Sequence, residues 1–255
     1  MSPCPNRLPL RWLSPVAEGQ GRFLVSSASR LAPRFCYTSG PVKASLRRSR
    51  AAARQPVKIY DQGYFDRWYR RSRQALFHLE MLPRRVQLAV SVAEYLLERP
   101  IRTVLDVGCG EGRWRALLRH ARPAIRYVGV DSSEYVVRRY GKRRNIRLGR
   151  FGELARLGLQ GRFDLIVCTD VLHYIGLAEV RLGLQALARR LGGIAFMELY
   201  TAADETVGDD DEFQWRSRAT YLRLFREAGL IHLGLHCYAG RGLRERVADL
   251  ERAGR

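Results

Sequence analysis

The sequence predicts an α/β protein built on a doubly wound, mostly parallel sheet of six strands, with helices on both faces and a helix at the C-terminus. Three observations predict it. From about residue 57 onward, short apolar runs alternate with stretches of helical periodicity. One of those runs, Thr103–Val107, leads straight into the glycine-rich turn Gly108-Cys109-Gly110-Glu111-Gly112. The 255 residues are 46% hydrophobic and 27% charged, enough apolar material for one full-sized domain and unlike a disordered chain.

The elements follow in order. Pro83 and Pro100 bracket Val86, Ala89, Val90, Ala93 and Leu97, a helical stripe with Pro83 expected in its first turn. The strand at Thr103–Val107 precedes a helix marked by Trp114, Leu117, Leu118 and Ala121. A strand over residues 125–130 and a helix over 133–140 come next, then a weak strand at Ile146–Leu148 and a strong one over 163–168. Val180, Leu184, Leu187 and Leu191 form a helical stripe before a strand over 193–199. Tyr221, Leu224, Phe225 and Ala228 mark a helix closed by Gly229, and residues 230–238 read as one last strand at the sheet edge. Leu243, Val247 and Leu250 give the terminal helix.

Charge divides the chain. Residues 1–56 hold ten Arg or Lys, one acid (Glu18) and seven of the ten prolines, giving +9, while residues 57–255 carry +11 over a much longer stretch. The first zone has no packing periodicity and is expected to be disordered: a transit-like segment, an electrostatic tail for RNA, or an extension from an upstream start codon. The second zone is the folded domain. Five widely spaced cysteines with no Cys-x-x-Cys pair exclude a disulfide scaffold and a zinc ribbon. His232 and His236 lie too far apart on a strand to share a metal, so no metal site is expected. No apolar run approaches the ~18 residues that cross a bilayer, which points to a cytoplasmic protein without a membrane partner.

The glycine turn narrows the chemistry. Glycines let a ligand approach the backbone, and a following helix presents free N–H groups. A dinucleotide fingerprint fails because its third glycine position is Arg113, and no Gly-Lys-Ser/Thr ending forms a P-loop. Three motifs stand in order instead: Val104-Leu105-Asp106-Val107-Gly108-Cys109-Gly110-Glu111-Gly112, then Tyr127-Val128-Gly129-Val130-Asp131, then Phe163-Asp164-Leu165-Ile166-Val167-Cys168-Thr169-Asp170-Val171-Leu172-His173-Tyr174. On these motifs the chain, from about residue 59 to 238, resembles the class I S-adenosylmethionine-dependent methyltransferases, with their Rossmann-like fold, and among them the broad group acting on small molecules.

The resemblance implies roles. Asp131, 23 positions after Gly108, is expected to accept from both ribose hydroxyls of S-adenosyl-L-methionine, with Ser132 beside it. Gly108, Cys109 and Gly110 are expected along the amino-acid part, with Asp106 orienting the loop or reaching the cofactor amino group. The third-strand region departs from relatives that carry an acid there, leaving Arg150, Phe151 and Gly152 for the adenine and Thr169 to complete the cofactor set. Catalysis needs alignment of the acceptor with the methyl group; where a base helps, His173 is the candidate and Tyr174 the second, the competing reading of His173 being packing. Tyr60, Tyr64 and Trp68 either fold over the cofactor or form a packing stripe. The acids Asp204, Glu205, Asp209, Asp210, Asp211 and Glu212 read as a solvated loop, or as a lid for a cationic acceptor with Trp215 as a ring face. The expected acceptor is a small molecule. An RNA methyltransferase using the basic N-terminal tail is the alternative, although the fourth-strand exit reads Thr-Asp-Val-Leu-His-Tyr rather than an Asn/Asp-Pro-Pro-aromatic motif and no Pro-Cys pair in the folded zone suggests cytosine C5 chemistry, and a non-catalytic S-adenosylmethionine-binding protein is the third reading.

Overall fold

The computed structural model describes residues 58–70, 73–204 and 209–249, with the side chains of 73–79 left aside. The expectation of disorder for residues 1–56 lies outside these described residues. The sheet has seven strands: β1 (Thr103–Val107), β2 (Arg126–Asp131), β3 (Ile146–Leu148), β4 (Phe163–Thr169), β5 (Leu191–Glu198), β6 (Ile231–Gly234) and β7 (Cys237–Ala239). They lie in the order β3-β2-β1-β4-β5-β7-β6. The first five run parallel, and β7 pairs antiparallel with both β5 and β6.

The helices are α1 (Gln62–Phe65), α2 (Arg73–Leu97), α3 (Arg113–Ala121), α4 (Glu134–Arg144), α5 (Leu177–Arg190), α6 (Arg218–Glu227) and α7 (Arg244–Ala248). Successive strand residues face opposite sides, so Val104, Leu165, Val167 and Phe196 pack with Ala89 and Ala93 of α2 and Leu118 of α3. Leu105, Val107 and Ile166 pack on the other face with Leu184 and Leu187 of α5 and Phe225 of α6. Burying such side chains contributes roughly 1.5 to 3 kcal/mol each.

Two sequence expectations need correction. The strand count is seven because residues 230–238 are a hairpin: Gly234, Leu235 and His236 all take positive φ (87°, 49° and 63°), and the chain reverses there. The two turn residues, Leu235 and His236, are not the usual Asn-Gly or Gly-Gly pair, and Gly234 before them is the one local mark of the reversal, so the apolar alternation reads through it. The first long helix also starts ten residues before Pro83, which sits in its interior. The terminal helix is present as a short 3-10 turn, Arg241–Leu243, running into α7.

Candidate active site

At the carboxyl end of β1 the chain turns through Gly108, at φ 70°, where a Cβ would stand 2.1 Å from Cγ2 of Val171. A side chain there is excluded by both conformation and space. The N–H groups of Gly108 and Cys109 donate to the carbonyl of Val130 (2.8 and 3.1 Å), stitching the loop to the end of β2. Asp131, the last residue of β2, closes the arrangement. Its Oδ2 accepts the Gly110 N–H at 2.7 Å and its Oδ1 the Ser133 N–H at 2.9 Å. Burial raises the pKa of this carboxyl, and the two N–H donors oppose that shift. Each oxygen keeps a further lone pair for a ligand. Ser133 caps α4 by accepting the Val136 N–H at 3.1 Å, while its hydroxyl donates to the carbonyl of Tyr60 at 2.5 Å.

That last bond ties down a strap over residues 58–70. The Asp61 carboxylate accepts the Tyr64 N–H at 2.9 Å and caps α1, and a π-helical turn, Asp66–Arg70, follows. Phe65 is buried against Tyr69 and Tyr135, with ring centroids 5.1 and 5.7 Å away. Arg113, the residue that breaks the dinucleotide fingerprint, donates to the Tyr69 carbonyl at 2.6 Å. The start of the strap is held by the acidic segment. Lys58 pairs with Asp209; its Nζ donates to the Asp211 carbonyl and its backbone N–H to Oε1 of Glu212, both at 3.1 Å. The ammonium also lies 4.1 Å from the Tyr174 ring centre, 5.5 Å from that of Tyr64 and 5.6 Å from that of Tyr60. Asp210, Asp211 and Glu212 are exposed as a solvated loop would be, but Asp209 is turned inward. Trp215 stacks on Phe213 at 4.3 Å.

Between loop and strap lies a cleft of about 570 Å³. Of the residues singled out from sequence, Gly108, Gly110, Asp131, Ser132, Arg150, Phe151 and Tyr174 line it, as do Tyr60 and Tyr64. Asp106, Cys109, Gly152, Thr169 and His173 do not. Asp106 points to the opposite face of β1, where it accepts the Tyr127 hydroxyl at 2.7 Å. Burial, with a smaller push from the Asp131 charge, raises its pKa to about 7 against the opposing Tyr127 bond. Cys109 packs its sulfur beneath Gly129, where an added Cβ would lie 2.8 Å away, and burial pushes its thiol up. The Gly152 N–H donates to Glu179 at 3.3 Å, and Thr169 pairs with Glu198 at the end of β4.

His173 is fully buried, 25° from parallel with the Phe213 ring at 4.8 Å. Its Nδ1 accepts the Tyr200 N–H at 3.3 Å, which leaves the ring proton on Nε2, an atom with no hydrogen-bond partner among the described residues. Burial and the nearby Lys58 charge hold its pKa down at about 4, against the pull of Asp209. This geometry supports the packing reading of His173 over the base reading. Tyr174 reaches the cleft, but its hydroxyl donates to the Asp209 carbonyl at 2.8 Å and burial raises its pKa. The same cause raises Tyr60, Tyr64 and Tyr69, so all four phenols are protonated donors.

Residues that sequence reading missed include Lys58, Tyr135, Arg138 and Glu179, all on the cleft wall. Helical spacing after the cap at Ser133 would have found Tyr135 and Arg138; Lys58 carried no signal. Phe151 owes its seat to a distant position: a Cβ on Gly183, within α5, would stand 2.1 Å from the Phe151 ring.

A glycine turn between β1 and α3, an acid at the end of β2 and a cleft over the carboxyl ends of parallel strands define a cofactor-binding Rossmann-like enzyme. The family described as "Methyltransferase domain" matches residues 68–250, and the chain belongs to it, as a class I S-adenosylmethionine-dependent methyltransferase. No curated protein matches the sequence. Similar solved structures include the plantazolicin methyltransferase BamL with a desmethylPZN analog and S-adenosylhomocysteine (12% identity, TM-score 0.48, covering 65% of this chain and 71% of that one). DesVI of Streptomyces venezuelae is similar at 17% identity and TM-score 0.49, covering 62% and 89%. The O-methyltransferase of a trans-AT PKS multienzyme of Brevibacillus brevis, with S-adenosyl-L-homocysteine, is similar at 19% and 0.43, covering 62% and 57%.

Proposed function

We propose that this methyltransferase acts on a small-molecule acceptor by in-line displacement. The observation that carries the reading is the scale and covering of the cleft: about 570 Å³, faced by Tyr60, Tyr64 and Tyr69 of the strap. Small-ligand sites run from roughly 300 to 1,000 Å³. The residues present fit the cofactor. Gly108 and Gly110 bring bare backbone to the cleft wall, and Asp131 offers two oxygens with free lone pairs. Phe151 presents a ring at the end of the cleft beside Arg150.

In this reading Asp131 holds the ribose hydroxyls, backbone atoms of Gly108 and Gly110 meet the amino-acid part, and Arg150 and Phe151 meet the adenine. Bound S-adenosylmethionine supplies an electrophilic methyl group on a sulfonium. The chain's own contribution is placement: Tyr174 and its neighbours on the β4 exit orient the acceptor, and the strap keeps bulk water off the reacting atoms. Alignment of this kind supplies several kcal/mol without a proton-accepting side chain.

The test pairs calorimetric titration of S-adenosylhomocysteine with turnover of labelled S-adenosylmethionine against amine, hydroxyl and thiol acceptors and total RNA. Binding of the homocysteine product and label in a small acceptor is the expected result. Label in RNA alone would overturn the acceptor class, and binding without turnover on any acceptor would overturn catalysis.

A further inference from the structure

We propose that the outer face of α4, the edge strand β3 and the cleft rim beyond it bind the phosphate backbone of nucleic acid. The proposal stands apart from the acceptor reading: Arg138 and Arg150 stand on the cleft rim, and the other four cations, Arg139, Lys142, Arg143 and Arg147, lie outside the cleft. Residues 134–156 contain eight Lys or Arg and two acids. On α4, Arg138, Arg139, Lys142 and Arg143 are exposed, while Val136 and Gly141 are buried outside their arc. At 3.6 residues per turn these four cations fall within an arc of ~140°. The face continues onto β3, which ends the sheet and pairs only with β2, through exposed Arg147, and then to exposed Arg150.

None of these six cations forms an ion pair among the described residues. Arg99 and Arg122, by contrast, are committed to Asp164 and Glu94. A row of unpaired cations on one face is a polyanion site, and five of the six are guanidinium groups, whose planar forks match phosphate oxygens in pairs. The face lacks what a protein or a lipid surface would use. Its one exposed large hydrophobic residue is Leu148, whereas protein interfaces carry an apolar core and membrane-surface helices an apolar insertion face. Nucleic acid is the partner whose charge density needs no such anchor.

The measurement is fluorescence anisotropy of a labelled 20-nucleotide oligouridylate with the full chain across a salt series. Each neutralised phosphate on a single strand contributes about −0.7 to the log–log salt slope. The triple variant Arg139→Gln/Lys142→Gln/Arg143→Gln should therefore show a slope shallower by about 2, with roughly 100-fold weaker binding at 0.1 M salt if the two lines meet near 1 M. Arg139→Lys/Arg143→Lys should keep the parent slope. S-adenosylhomocysteine affinity, expected at the parent value in both, keeps folding out of the comparison; should the triple variant not fold, Arg139→Gln alone should lower the slope by about 0.7. A triple variant with the parent's slope and affinity would overturn the assignment. So would a parent that ignores the oligonucleotide while binding anionic vesicles or polyglutamate.

Discussion

The two walls of the cleft are made differently. The wall formed by β1, the glycine turn and β2 is joined through backbone N–H groups, two on the Val130 carbonyl and two more on the Asp131 carboxylate, all between Gly108 and Ser133. The strap wall is joined by side chains from remote segments, with Lys58 and Glu212 separated by 154 positions. Backbone bonds in a buried turn change little with solvent conditions. A clasp of charges responds to salt, to pH and to single substitutions, and we propose that the first wall sets what is bound and the second how it enters and leaves.

The backbone-built wall should be the harder to alter. Gly108→Ala places a Cβ against Val171 and forces an unfavourable φ, and we expect a loss of about 2 to 4 kcal/mol in stability together with loss of S-adenosylhomocysteine binding. Denaturant melts and calorimetry measure both, and a variant that binds at the parent affinity would break the contrast. Asp131→Ala should weaken cofactor affinity by about 2 to 3 kcal/mol. The structure adds that the apo protein should also melt lower, because Gly110 and Ser133 lose their acceptor.

The clasp should show the opposite pattern. Lys58→Met leaves the sheet and its core intact, so the melting temperature should hold within a few degrees while S-adenosylhomocysteine dissociates at least tenfold faster in stopped flow. Asp209→Asn should match it, and the double variant should be no worse than either single one, since the pair acts as a unit. Equal dissociation rates in all four proteins would remove the functional difference between the walls.

A smaller effect separates two buried acid–base groups. His173, held down from 6.5 to about 4, contributes stability that is complete above pH 6.5 and lost as pH falls toward 4. Asp106, raised from 3.8 to about 7, contributes stability that is complete below pH 3.8 and lost as pH rises toward 7. The two run in opposite directions over one window, each on the order of 3 kcal/mol at full extent. Melting curves from pH 4 to 7 should thus steepen in opposite senses in His173→Phe and Asp106→Asn relative to the parent. Parallel shifts in both would show that neither group titrates as its burial requires. The smallest effect is expected from deletion: we propose that residues 1–56 are dispensable, so a chain beginning at Val57 should melt within a few degrees of the full one and bind S-adenosylhomocysteine equally.

Legibility in the sequence follows the same division. The glycine turn, Asp131 and the strand–helix alternation were readable because each depends on neighbours in sequence: positive φ needs glycine, and a strand's apolar run reports its own burial. Lys58 gave no sign, since its partners Asp209 and Glu212 come close only in the folded chain. Asp106 and His173 sit in motifs that suggest ligand contact, and only the strand register and the packing of Tyr127 and Phe213 turn them inward. The hairpin at Leu235 and His236 was hidden for a local reason: Leu235, a residue that tolerates the left-handed region poorly, occupies it, and Gly234 alone marks the turn.

Gly183 gives the cleft a dependence that its lining does not reveal. The glycine costs α5 about 1 kcal/mol of helix propensity relative to alanine, and what occupies the vacated space is the ring of Phe151. These two positions form a single heritable unit: a lineage that enlarges residue 183 must shrink or swing residue 151 in the same step or soon after. If, as proposed, the adenine sits beside Phe151, selectivity there can drift through a helix position that does not itself line the cleft, and a survey of variation restricted to cleft residues would attribute the result to the wrong place.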